Sequence, residues 1–470
     1  MTANAPVAHP WMANSVPEIK RQMLEAIGAS SIEELYQQIP EDHRYRAPLA
    51  LPPTLSSEQE LKRHLLRTLA KNQDCERNLS FLGAGCWQHH VPAICDELYR
   101  RTEWLHSVFG SPSSDHGRNQ AWFEFASQLG ELVGMEFVGL PVYSWGCALG
   151  HAARMASRIT GRREILVPRL ICPERLSVLR NYCEPSAMRG HIAIVEVGFD
   201  AATGRLDLAD LRAKISERTA VVYIETPSYL GIIEDQGAEI ARIAHGKGAL
   251  FMAGVDPISL GVLAPPADYG ADIVVGTTQT LGVHMNCGGG VGGFIATPDE
   301  ERFAREYNTL NISIGRTNRE GEYAFGLSLF HQSSYGMREE GKDWTGNSVY
   351  MWAVVNAVYM ALLGPQGFRD VGRLILSRCH AAAKRIATLP GVKVRFPSGF
   401  FKEFVVDFTA TGRTVAEIND ALRAKGIFGG KDLSADFPEF GQSALYCVTE
   451  IHTPEDIARL HAALAEVLAR

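Results

Sequence analysis

The sequence predicts an α/β protein with a mostly parallel central sheet, a helical N-terminal region and a small C-terminal α+β domain. From about residue 140, short apolar runs rich in β-branched residues alternate with helical segments. Strands that are apolar along their whole length belong to parallel sheets covered by helices on both faces. A chain of 470 residues has room for roughly two or three domains. We assign residues 1–125 to the helical region, 126–340 to the large α/β domain, and 341–470 to a connecting helix and the small domain.

The helical N-terminal region is predicted from two helix starts. Ser15-Val-Pro-Glu18 and Ser57-Glu-Gln-Glu60 have the spacing of capping boxes, in which the outer two side chains satisfy backbone N–H groups reciprocally. Apolar residues follow each box at helical spacing. They are Ile19, Met23 and Ile27 after the first box, and Leu61, Leu65, Leu66 and Leu69 after the second. We therefore expect two amphipathic helices.

The large domain is predicted as a series of strands and helices. The predicted strands cover 191–197, 220–226, 249–256 and 272–279, and the predicted helices cover 208–215 and 237–248. In such a sheet, functional groups belong at the carboxyl ends of the strands. Those ends carry Glu225-Thr226-Pro227, Asp256-Pro257 and Thr277-Thr278-Gln279.

The C-terminal domain is predicted from a long apolar helix followed by an α+β pattern. The apolar run from Val349 to Leu363 contains Asn356, which favours a buried helix over a membrane span. The predicted strands cover 400–408 and 444–451, a predicted helix covers 414–426, and Thr453-Pro-Glu-Asp456 caps a final helix.

Composition and charge exclude several classes of protein. The 46 Lys and Arg against 53 Asp and Glu give a formal net charge of −7, with 46% hydrophobic and 21% charged residues, the balance of an ordinary globular chain. This mild acidity gives no reason to expect nucleic acid or an anionic membrane as a partner. The first residues lack a signal-peptide pattern, and the nine cysteines form no CxxC pair. We expect free thiols, no metal site and a cytoplasmic location.

A candidate phosphate-binding turn precedes a predicted helix. Tyr143-Ser-Trp-Gly-Cys-Ala-Leu-Gly-His151 is rich in small residues at the start of that helix, where unpaired N–H groups and the positive end of the helix dipole favour an anion. We select Ser144, Gly146 and Cys147 as the remnant of such a phosphate loop. An ordinary capped helix is the alternative interpretation.

Two strand ends are candidates for contact with pyridoxal phosphate (PLP). Asp256 ends a strand, and a carboxylate there can pair with the protonated pyridine nitrogen of PLP; a turn or cap aspartate is the alternative. Gln279 stands near a strand end where a PLP enzyme of this architecture carries the lysine that forms the Schiff base. The sequence has no lysine between Lys247, at a helix end, and Lys342, in a charged stretch. We therefore expect no amine of this chain at the place where the aldehyde of the coenzyme would be captured.

Other features have open interpretations. The glycine-rich run from Asn286 to Gly293 does not fit a nucleotide loop. It indicates either close approach of the backbone to a ligand or a neighbouring subunit, or a tight hairpin. Lys342 is an anion or subunit contact, or a solvated loop charge. The histidines show no matching acidic or cysteine partner in the sequence, and we expect structural roles for them. They are His89, His90, His116, His284 and His331.

Blocks of sequence along nearly the whole chain, from about residue 14, resemble the glycine decarboxylase family, the P-protein of the glycine cleavage system. The closer likeness is to the alpha subunit (subunit 1) of the two-subunit bacterial form, of which this chain resembles a divergent member. The blocks include MLEAIGASSIEELYQQIP (23–40), FLGAGCWQHHVPAICDEL (81–98), GVDPISLGVLAPPADYGADIVVG (254–276) and CVTEIHTPEDI (447–457). So many collinear blocks identify the family more specifically than any single motif.

The resemblance implies a type I PLP-dependent transferase fold. It implies the decarboxylation of glycine, with transfer of the aminomethyl group to the lipoyl arm of a carrier protein. It also implies a lysine-bearing, beta-type homologous partner that holds PLP covalently, within a heterotetramer. The alpha subunit resembles a degenerate copy of that partner. Ser144, Gly146, Cys147, Asp256 and Gln279 are then remnants of a cofactor-binding site, and no catalytic residue is assigned to this chain.

Three segments differ from the family's usual sequence, at 105–113, 143–148 and 342–347. These differences leave one alternative open, and the missing lysine leaves a second. In the first, the chain is a recruited paralogue that serves another PLP-dependent decarboxylase or lyase acting on an amino acid. In the second, it is a non-catalytic structural subunit that only stabilises its partner.

Overall fold

The computed structural model describes residues 9, 11–104, 112–285, 292–307, 311–328, 349–397 and 399–469. The chain divides into two compact units, Met1–Asn72 and Gln73–Arg470. Several features singled out in the sequence lie outside the described residues: the segment 105–111, the glycine-rich residues 286–291, His331, and the run 342–347 with Lys342. The domain boundaries near residues 125 and 340 remain predictions.

The first unit consists of short helices. Its α-helices are α1 (Pro17–Ala26) and α2 (Glu58–Leu69), and shorter 3-10 turns cover Ala13–Ser15, Glu33–Tyr36 and Glu41–His43. Ser57 caps α2 through one of the two bonds of the predicted capping box, because its hydroxyl accepts a hydrogen bond from the backbone N–H of Glu60 at 3.1 Å.

The predicted cap of α1 at Ser15 was wrong. Val16 is the N-cap residue, it makes no side-chain capping bond, and Pro17 stands in the first turn of the helix. Proline has no N–H to satisfy at this position and its backbone is already set for a helix, so α1 begins without a side-chain cap.

The apolar faces predicted for α1 and α2 are exposed in this unit. Met23 of α1, Ile27 at its C-terminal cap, and Leu66 and Leu69 of α2 are each more than half exposed. No side chain that the structure describes between residues 9 and 72 is buried. This unit therefore has no hydrophobic core of its own.

The second unit contains the central sheet, a smaller sheet and the helices that pack on them. Its helices are α3 (Ala93–Tyr99), α4 (Pro112–Val133), α5 (Trp145–Thr160), α6 (Pro173–Cys183), α7 (Leu208–Lys214), α8 (Gly237–Gly246), α9 (Glu301–Ala304), α10 (Tyr350–Ile386), α11 (Val415–Arg423) and α12 (Pro454–Leu468). Its strands are β1 (Leu79–Ser80), β2 (Phe137–Val138), β3 (Glu164–Pro168), β4 (Ala193–Val197), β5 (Thr219–Glu225), β6 (Leu250–Val255), β7 (Ile273–Thr277), β8 (Gly293–Thr297), β9 (Asn311–Arg316), β10 (Tyr323–Ser328), β11 (Lys393–Arg395), β12 (Glu403–Asp407), β13 (Ile427–Phe428), β14 (Lys431–Asp432) and β15 (Ser443–Cys447).

Within the described residues, seven strands form the central sheet in the order β2-β8-β7-β6-β5-β3-β4. The pairs between β4 and β7 are parallel, and β8 and β2 add antiparallel pairs at one edge. The prediction of a mostly parallel sheet is confirmed. The four strands predicted for this domain correspond to β4, β5, β6 and β7, whereas β3 was not predicted.

The central strands are buried on both faces. Val222 and Ile224 of β5 belong to one apolar cluster, and Val221 and Tyr223 of the same strand belong to another. Successive side chains of a strand point to opposite faces of a sheet, so a strand covered on both faces must be apolar throughout. The continuous apolar runs in the sequence are therefore the direct cause of this layered arrangement.

A smaller antiparallel sheet lies near the C-terminus, in the order β11-β12-β15-β14. It confirms the strands predicted at 400–408 and 444–451, and α11 confirms the helix predicted at 414–426. The capping box predicted for α12 is present, because Thr453 and Asp456 each accept a backbone hydrogen bond from the other. β1 pairs in parallel with β13, so part of the region predicted to be helical is a strand.

The long apolar helix predicted before the small sheet is part of α10. It is broken at Gly364, whose φ of +55° and ψ of −179° are not helical, and Pro365 follows. No helix of the described residues is long and apolar enough to span a membrane. Asn356 is buried in α10, and its side-chain amide donates hydrogen bonds to the carbonyl oxygens of Thr278 at 3.0 Å and Leu281 at 2.8 Å. It therefore anchors the turn that follows β7.

The substitution Asn356→Leu tests this anchor. Leucine keeps a similar volume but removes both donors, and the buried carbonyl of Leu281 loses its side-chain partner. We expect the free energy of unfolding to fall by about 1–3 kcal/mol, as measured by urea unfolding. Gln366→Leu is the matched control, because it removes an amide that bonds Asp370 on the exposed surface of the same helix. It should cost less than about 0.5 kcal/mol, and equal losses in the two variants would contradict the anchoring role.

Candidate functional site

The carboxyl ends of the central strands carry a cluster of buried charges. Glu225 ends β5 and Asp256 follows β6. Arg175 from α6 and Lys402, just before β12, reach the same edge of the sheet through ion pairs with these two carboxylates. Each of the four residues is at most 5% exposed. Charges buried this deeply need a partner of opposite charge. We therefore take these two ion pairs and their neighbours as the candidate site.

Both carboxylate oxygens of Asp256 have partners in the chain. Oδ1 accepts a hydrogen bond from the N–H of Ile258 at 3.2 Å, where Asp256 caps the 3-10 turn Pro257–Gly261. Oδ2 lies 2.5 Å from Nζ of Lys402. The cap that was the alternative interpretation of Asp256 is thus present, together with a buried ion pair that the sequence did not predict.

The Lys402 ammonium has three neighbours. Besides Asp256, Nζ lies 2.8 Å from Nε2 of His89 and 4.1 Å from the centre of the Trp87 ring. An ammonium can only donate, so we assign Nε2 as the acceptor and place the ring proton on Nδ1, which lies 2.7 Å from Oε2 of Glu450. The backbone of Lys402 has a φ of +64°, a left-handed conformation that costs a residue with a Cβ roughly 1–2 kcal/mol. The N–H of Glu403 donates to the carbonyl oxygen of Phe401 at 2.7 Å and closes a tight turn around this residue.

No sequence pattern predicted a lysine beside Asp256. Lys402 lies 146 residues further along the chain, and its nitrogen contacts the carboxylate that we predicted to bind the pyridine nitrogen. This contact is at Asp256 and not at Gln279, so the expectation that no amine of this chain stands where the aldehyde of the coenzyme would be captured stays a prediction.

The histidines also differ from expectation, because two of them have acidic partners. His89 contacts Glu450, and His284 contacts Asp96 at 2.9 Å. Burial acts to raise the pKa of Glu450, but His89 and the backbone N–H of His90 lower it to about 2. The carboxylate therefore stays charged beside His89. Within the described residues, no group of three or more His, Cys, Asp or Glu side chains is arranged to hold a metal ion.

A second buried ion pair lies beside the first. Nη1 of Arg175 is 2.6 Å from Oε2 of Glu225, and the guanidinium carbon is 3.8 Å from the centre of the Trp145 ring. The Tyr223 hydroxyl donates to Oε1 of Glu225 at 3.0 Å and accepts from the Trp145 indole N–H at 3.1 Å. Burial acts to lower the pKa of Arg175, but Glu225 raises it above its usual range. The arginine is therefore fixed as a cation among aromatic rings.

Gln279 is buried and bonds to the chain itself. Its Nε2 donates to the carbonyl oxygens of Trp87 at 3.1 Å and Val283 at 3.0 Å, and its Oε1 accepts from the N–H of Trp87 at 3.4 Å. The amide thus clamps the segment that carries Trp87 to the turn after β7. The structure shows this structural role directly, while the assignment of Gln279 to a cofactor position stays a prediction.

The predicted phosphate loop forms the start of α5. Ser144 is its N-cap, and the Ser144 hydroxyl accepts a hydrogen bond from the N–H of Cys147 at 3.2 Å. Gly146 packs on α6, since a Cβ there would lie 3.0 Å from Val178. A cavity of about 100 Å³ lies against Ser144, Gly146 and Arg175. A helix start of this kind favours an anion, whereas Glu174, which also lines the cavity, opposes one.

The residues around Asp256 do not fit a PLP ring. The space between Trp87, Trp145, Arg175, Asp256 and Lys402 is a cavity of about 10 Å³, which is room for about one water molecule. Lys402 already contacts the Asp256 oxygen that a ring nitrogen would need. The described conformation therefore has a phosphate-sized cavity at α5 and no space for the ring beside Asp256.

Sequence reasoning missed Lys402, Arg175 and Glu403 as members of the site. One signal was available, because Lys402-Glu403 interrupts the apolar run FFKEFVVDF at 400–408. Two charges inside an apolar strand are buried with it and need partners from elsewhere in the fold. Arg175 gave no such signal, since arginines are common on helices whose other face is exposed.

Glu403 is the remaining buried carboxyl group of the site. Its Oε1 accepts a hydrogen bond from the N–H of Ala84 at 2.6 Å. The neighbouring Gly83 must be glycine, because a Cβ there would lie 2.3 Å from the same oxygen. Burial raises the pKa of Glu403 to about 7. The group therefore changes its charge close to neutral pH.

Comparisons with known proteins identify relatives along the whole chain. The sequence profile described as "Glycine cleavage system P-protein" matches residues 13–464. A Brevibacillus brevis protein named "Probable glycine dehydrogenase (decarboxylating) subunit 1" is 36% identical over 450 residues, which cover 95% of this chain and 97% of the relative. A Pyrococcus furiosus protein of the same name is 36% identical over 452 residues, which cover 96% and 98% of the two chains.

Solved structures show the same fold. A crystal structure of glycine decarboxylase (P-protein) of the glycine cleavage system, in inhibitor-bound form, matches with a TM-score of 0.84 at 32% identity and covers 98% of this chain and 100% of that chain. The Burkholderia pseudomallei sphingosine-1-phosphate lyase matches with a TM-score of 0.61 at 14% identity, covering 92% of this chain and 94% of that chain. The latter likeness concerns the fold alone. The type I fold of PLP-dependent enzymes, predicted from the resemblance, is confirmed.

The substitution Glu403→Gln tests the buried carboxyl group. From about pH 4.3, the usual pKa of glutamate, to pH 7, the unfolded chain has lost the Glu403 proton while the folded chain keeps it. Stability therefore falls as pH rises through this window, by up to about 1.4 kcal/mol per pH unit. Glutamine keeps an acceptor for Ala84 and cannot ionise, so we expect the variant to gain stability over the wild type between pH 5 and about 7.5.

Urea unfolding at several pH values measures this gain. Glu455→Gln on the exposed surface of α12 is the matched control and should keep the wild-type pH dependence. A constant difference between Glu403→Gln and the wild type at all pH values would contradict the raised pKa.

Proposed function

The chain belongs to the glycine cleavage system P-protein family, and from this premise we propose that it is a subunit of a glycine decarboxylase whose coenzyme is held by a second, homologous subunit. Its relatives from Brevibacillus brevis and Pyrococcus furiosus are named subunit 1, which implies at least one partner subunit. In our proposal the complex decarboxylates glycine and passes the aminomethyl group to a lipoyl carrier. PLP supplies the electron-accepting ring for this chemistry when it is bound.

One observation carries the assignment of the coenzyme to the partner. In this chain, the Asp256 carboxylate lies 2.5 Å from Lys402, beside a cavity of about 10 Å³. A coenzyme ring at Asp256 needs both the free carboxylate oxygen and the space. The absence of lysine at position 279 supports the same division, because the amine expected to capture the coenzyme is then supplied by the partner.

The described residues of the site then have a structural task. The Lys402–Asp256 pair ties the small sheet to the end of β6, and the Arg175–Glu225 pair ties α6 to the end of β5. Breaking such a buried pair by removing one partner costs about 3–5 kcal/mol, because an uncompensated charge remains. In our proposal these pairs hold the carboxyl edge of the sheet in one shape in the absence of a ligand.

The recruited-paralogue alternative remains a second proposal. Of the three segments that differ from the family's usual sequence, only 143–148 lies wholly within the described residues. There Trp145 fills space between Arg175 and Tyr223, which supports the loss of a ligand site in this chain. The position of Trp145 says nothing about the substrate that the partner subunit binds. Assay of the complex with glycine and with other amino acids therefore identifies the substrate.

The test compares the chain alone with its complex. The purified chain is mixed with PLP, and the absorption near about 410–430 nm, the region of a lysine-bound coenzyme, is recorded before and after borohydride. We expect no such band and no label on this chain. Co-expression with a lysine-bearing homologous subunit is expected to give the band, a label on the partner, and exchange of the glycine carboxyl group with labelled bicarbonate.

A partner whose coenzyme-binding lysine is replaced by alanine is the control for this experiment. It should lose both the band and the exchange. A borohydride label on a lysine of this chain would overturn the proposed division of the coenzyme. Exchange with a different amino acid and none with glycine would favour the recruited paralogue.

A further inference from the structure

We propose that the Asp256 pocket is a cation site that this chain fills with its own Lys402 ammonium, in the place of the protonated ring nitrogen that an aspartate can bind in a PLP enzyme. The inference rests on the proposed function for the absence of coenzyme from this chain. In this chain the Lys402 ammonium takes the place of the coenzyme's ring nitrogen. The class of ligand that the pocket accepts is a primary alkylammonium ion.

The carboxylate of Asp256 needs a cation beside it. Asp256 follows a fully buried strand and is itself 3% exposed. A carboxylate at this depth is strongly disfavoured unless a cation neutralises it. In a chain that binds PLP, the coenzyme supplies that cation. This chain supplies it from the residue that precedes β12, and Nζ of Lys402 lies 2.5 Å from Oδ2.

The ammonium of Lys402 is bound on several sides. Its surroundings satisfy its charge in three directions: Asp256 and Nε2 of His89 accept hydrogen bonds, and the face of Trp87 lies 4.1 Å away. A carboxylate, a neutral imidazole and an indole face are the groups that together bind a desolvated alkylammonium ion. The pocket thus selects for a cation by chemistry and not only by the packing of the lysine stem.

The backbone places the Lys402 side chain toward this pocket. Lys402 is in the left-handed region, with a φ of +64°, although it is not glycine. A strained backbone of this kind persists only where the surrounding contacts require it. Here the N–H of Glu403 donates to the carbonyl oxygen of Phe401 at 2.7 Å and closes a tight turn around Lys402, and the N–H of Val448 donates to the carbonyl oxygen of Lys402 at 2.8 Å. From this turn the side chain of Lys402 reaches Asp256.

A consequence follows for ligands of this pocket. The tethered ammonium and any free cation compete for the same oxygen of Asp256, so the wild-type chain excludes both a pyridinium ring and a free amine. Removing the lysine side chain leaves an uncompensated carboxylate and an opening of the shape of an alkylammonium ion. A small primary amine from solution is then expected to bind there and to restore the lost stability.

The experiment is chemical rescue of Lys402→Ala in the full chain. The midpoint of thermal unfolding is measured with propylammonium chloride and, separately, with sodium chloride at equal ionic strength. We expect the substitution to lower the midpoint by about 3–5 °C. We expect propylammonium to recover a large part of this loss and sodium to recover none of it. The wild type should respond equally to the two salts.

Lys425→Ala is the matched control, since it removes a lysine that pairs with Glu466 at 2.6 Å on the partly exposed surface of the same small domain. It should show a small loss and no preference for propylammonium. A preference of equal size in Lys425→Ala, or no preference in Lys402→Ala, would overturn the proposal.

A double-mutant cycle covers the case in which Lys402→Ala does not fold. Lys402→Met and Asp256→Asn each leave one charge without its partner, whereas the double variant leaves neither. We expect the double variant to be more stable than either single variant. A double variant that is less stable than both, or that alone fails to fold, would show that Lys402 acts by packing and would overturn the cation site.

The outcomes also separate this inference from the proposed function. A propylammonium response without glycine exchange in the complex supports the cation site and contradicts the proposed reaction. Glycine exchange in the complex without a propylammonium response supports the proposed reaction and contradicts the cation site.

Discussion

The contact between the Lys402 ammonium and the Asp256 carboxylate is the constraint on which the described site depends. It joins the small C-terminal sheet to the carboxyl edge of the central sheet. Two charges removed from water need each other and further polar neighbours, and this need places Trp87 and His89 around the ammonium. The geometry at the carboxyl edge of the central sheet is therefore determined by ion pairs within the chain and not by the shape of a ligand.

The layered fold could be predicted from sequence because its cause is local. Each central strand is apolar throughout, and a strand of that composition is stable only between two covering layers. The predicted positions of Asp256 and Gln279 at strand ends follow from the same pattern, as does the buried helix that contains Asn356. A capping box such as Thr453-Pro-Glu-Asp456 is also local, since its partners lie within one helical turn.

The composition of the site could not be predicted, because its partners are distant in sequence. Asp256 and Lys402 are separated by 146 positions, and Trp87 and Gln279 by 192. No periodic pattern reports a contact between one strand end and a residue of another sheet. The error at Ser15 has a different cause. The spacing of Ser15 and Glu18 predicts a side-chain cap, but α1 begins at Pro17, which has no N–H that needs one.

Gln279 has a consequence for the history of such a subunit. Its amide both donates to and accepts from the backbone of Trp87, a combination that lysine, which has donors only, cannot reproduce. Trp87 in turn covers the ammonium of Lys402. A mutation to lysine at 279 would release this covering segment while Asp256 remained paired with Lys402. If the coenzyme is held by the partner, as we propose, a coenzyme site in this chain therefore demands several coordinated substitutions, with no advantage at the first of them.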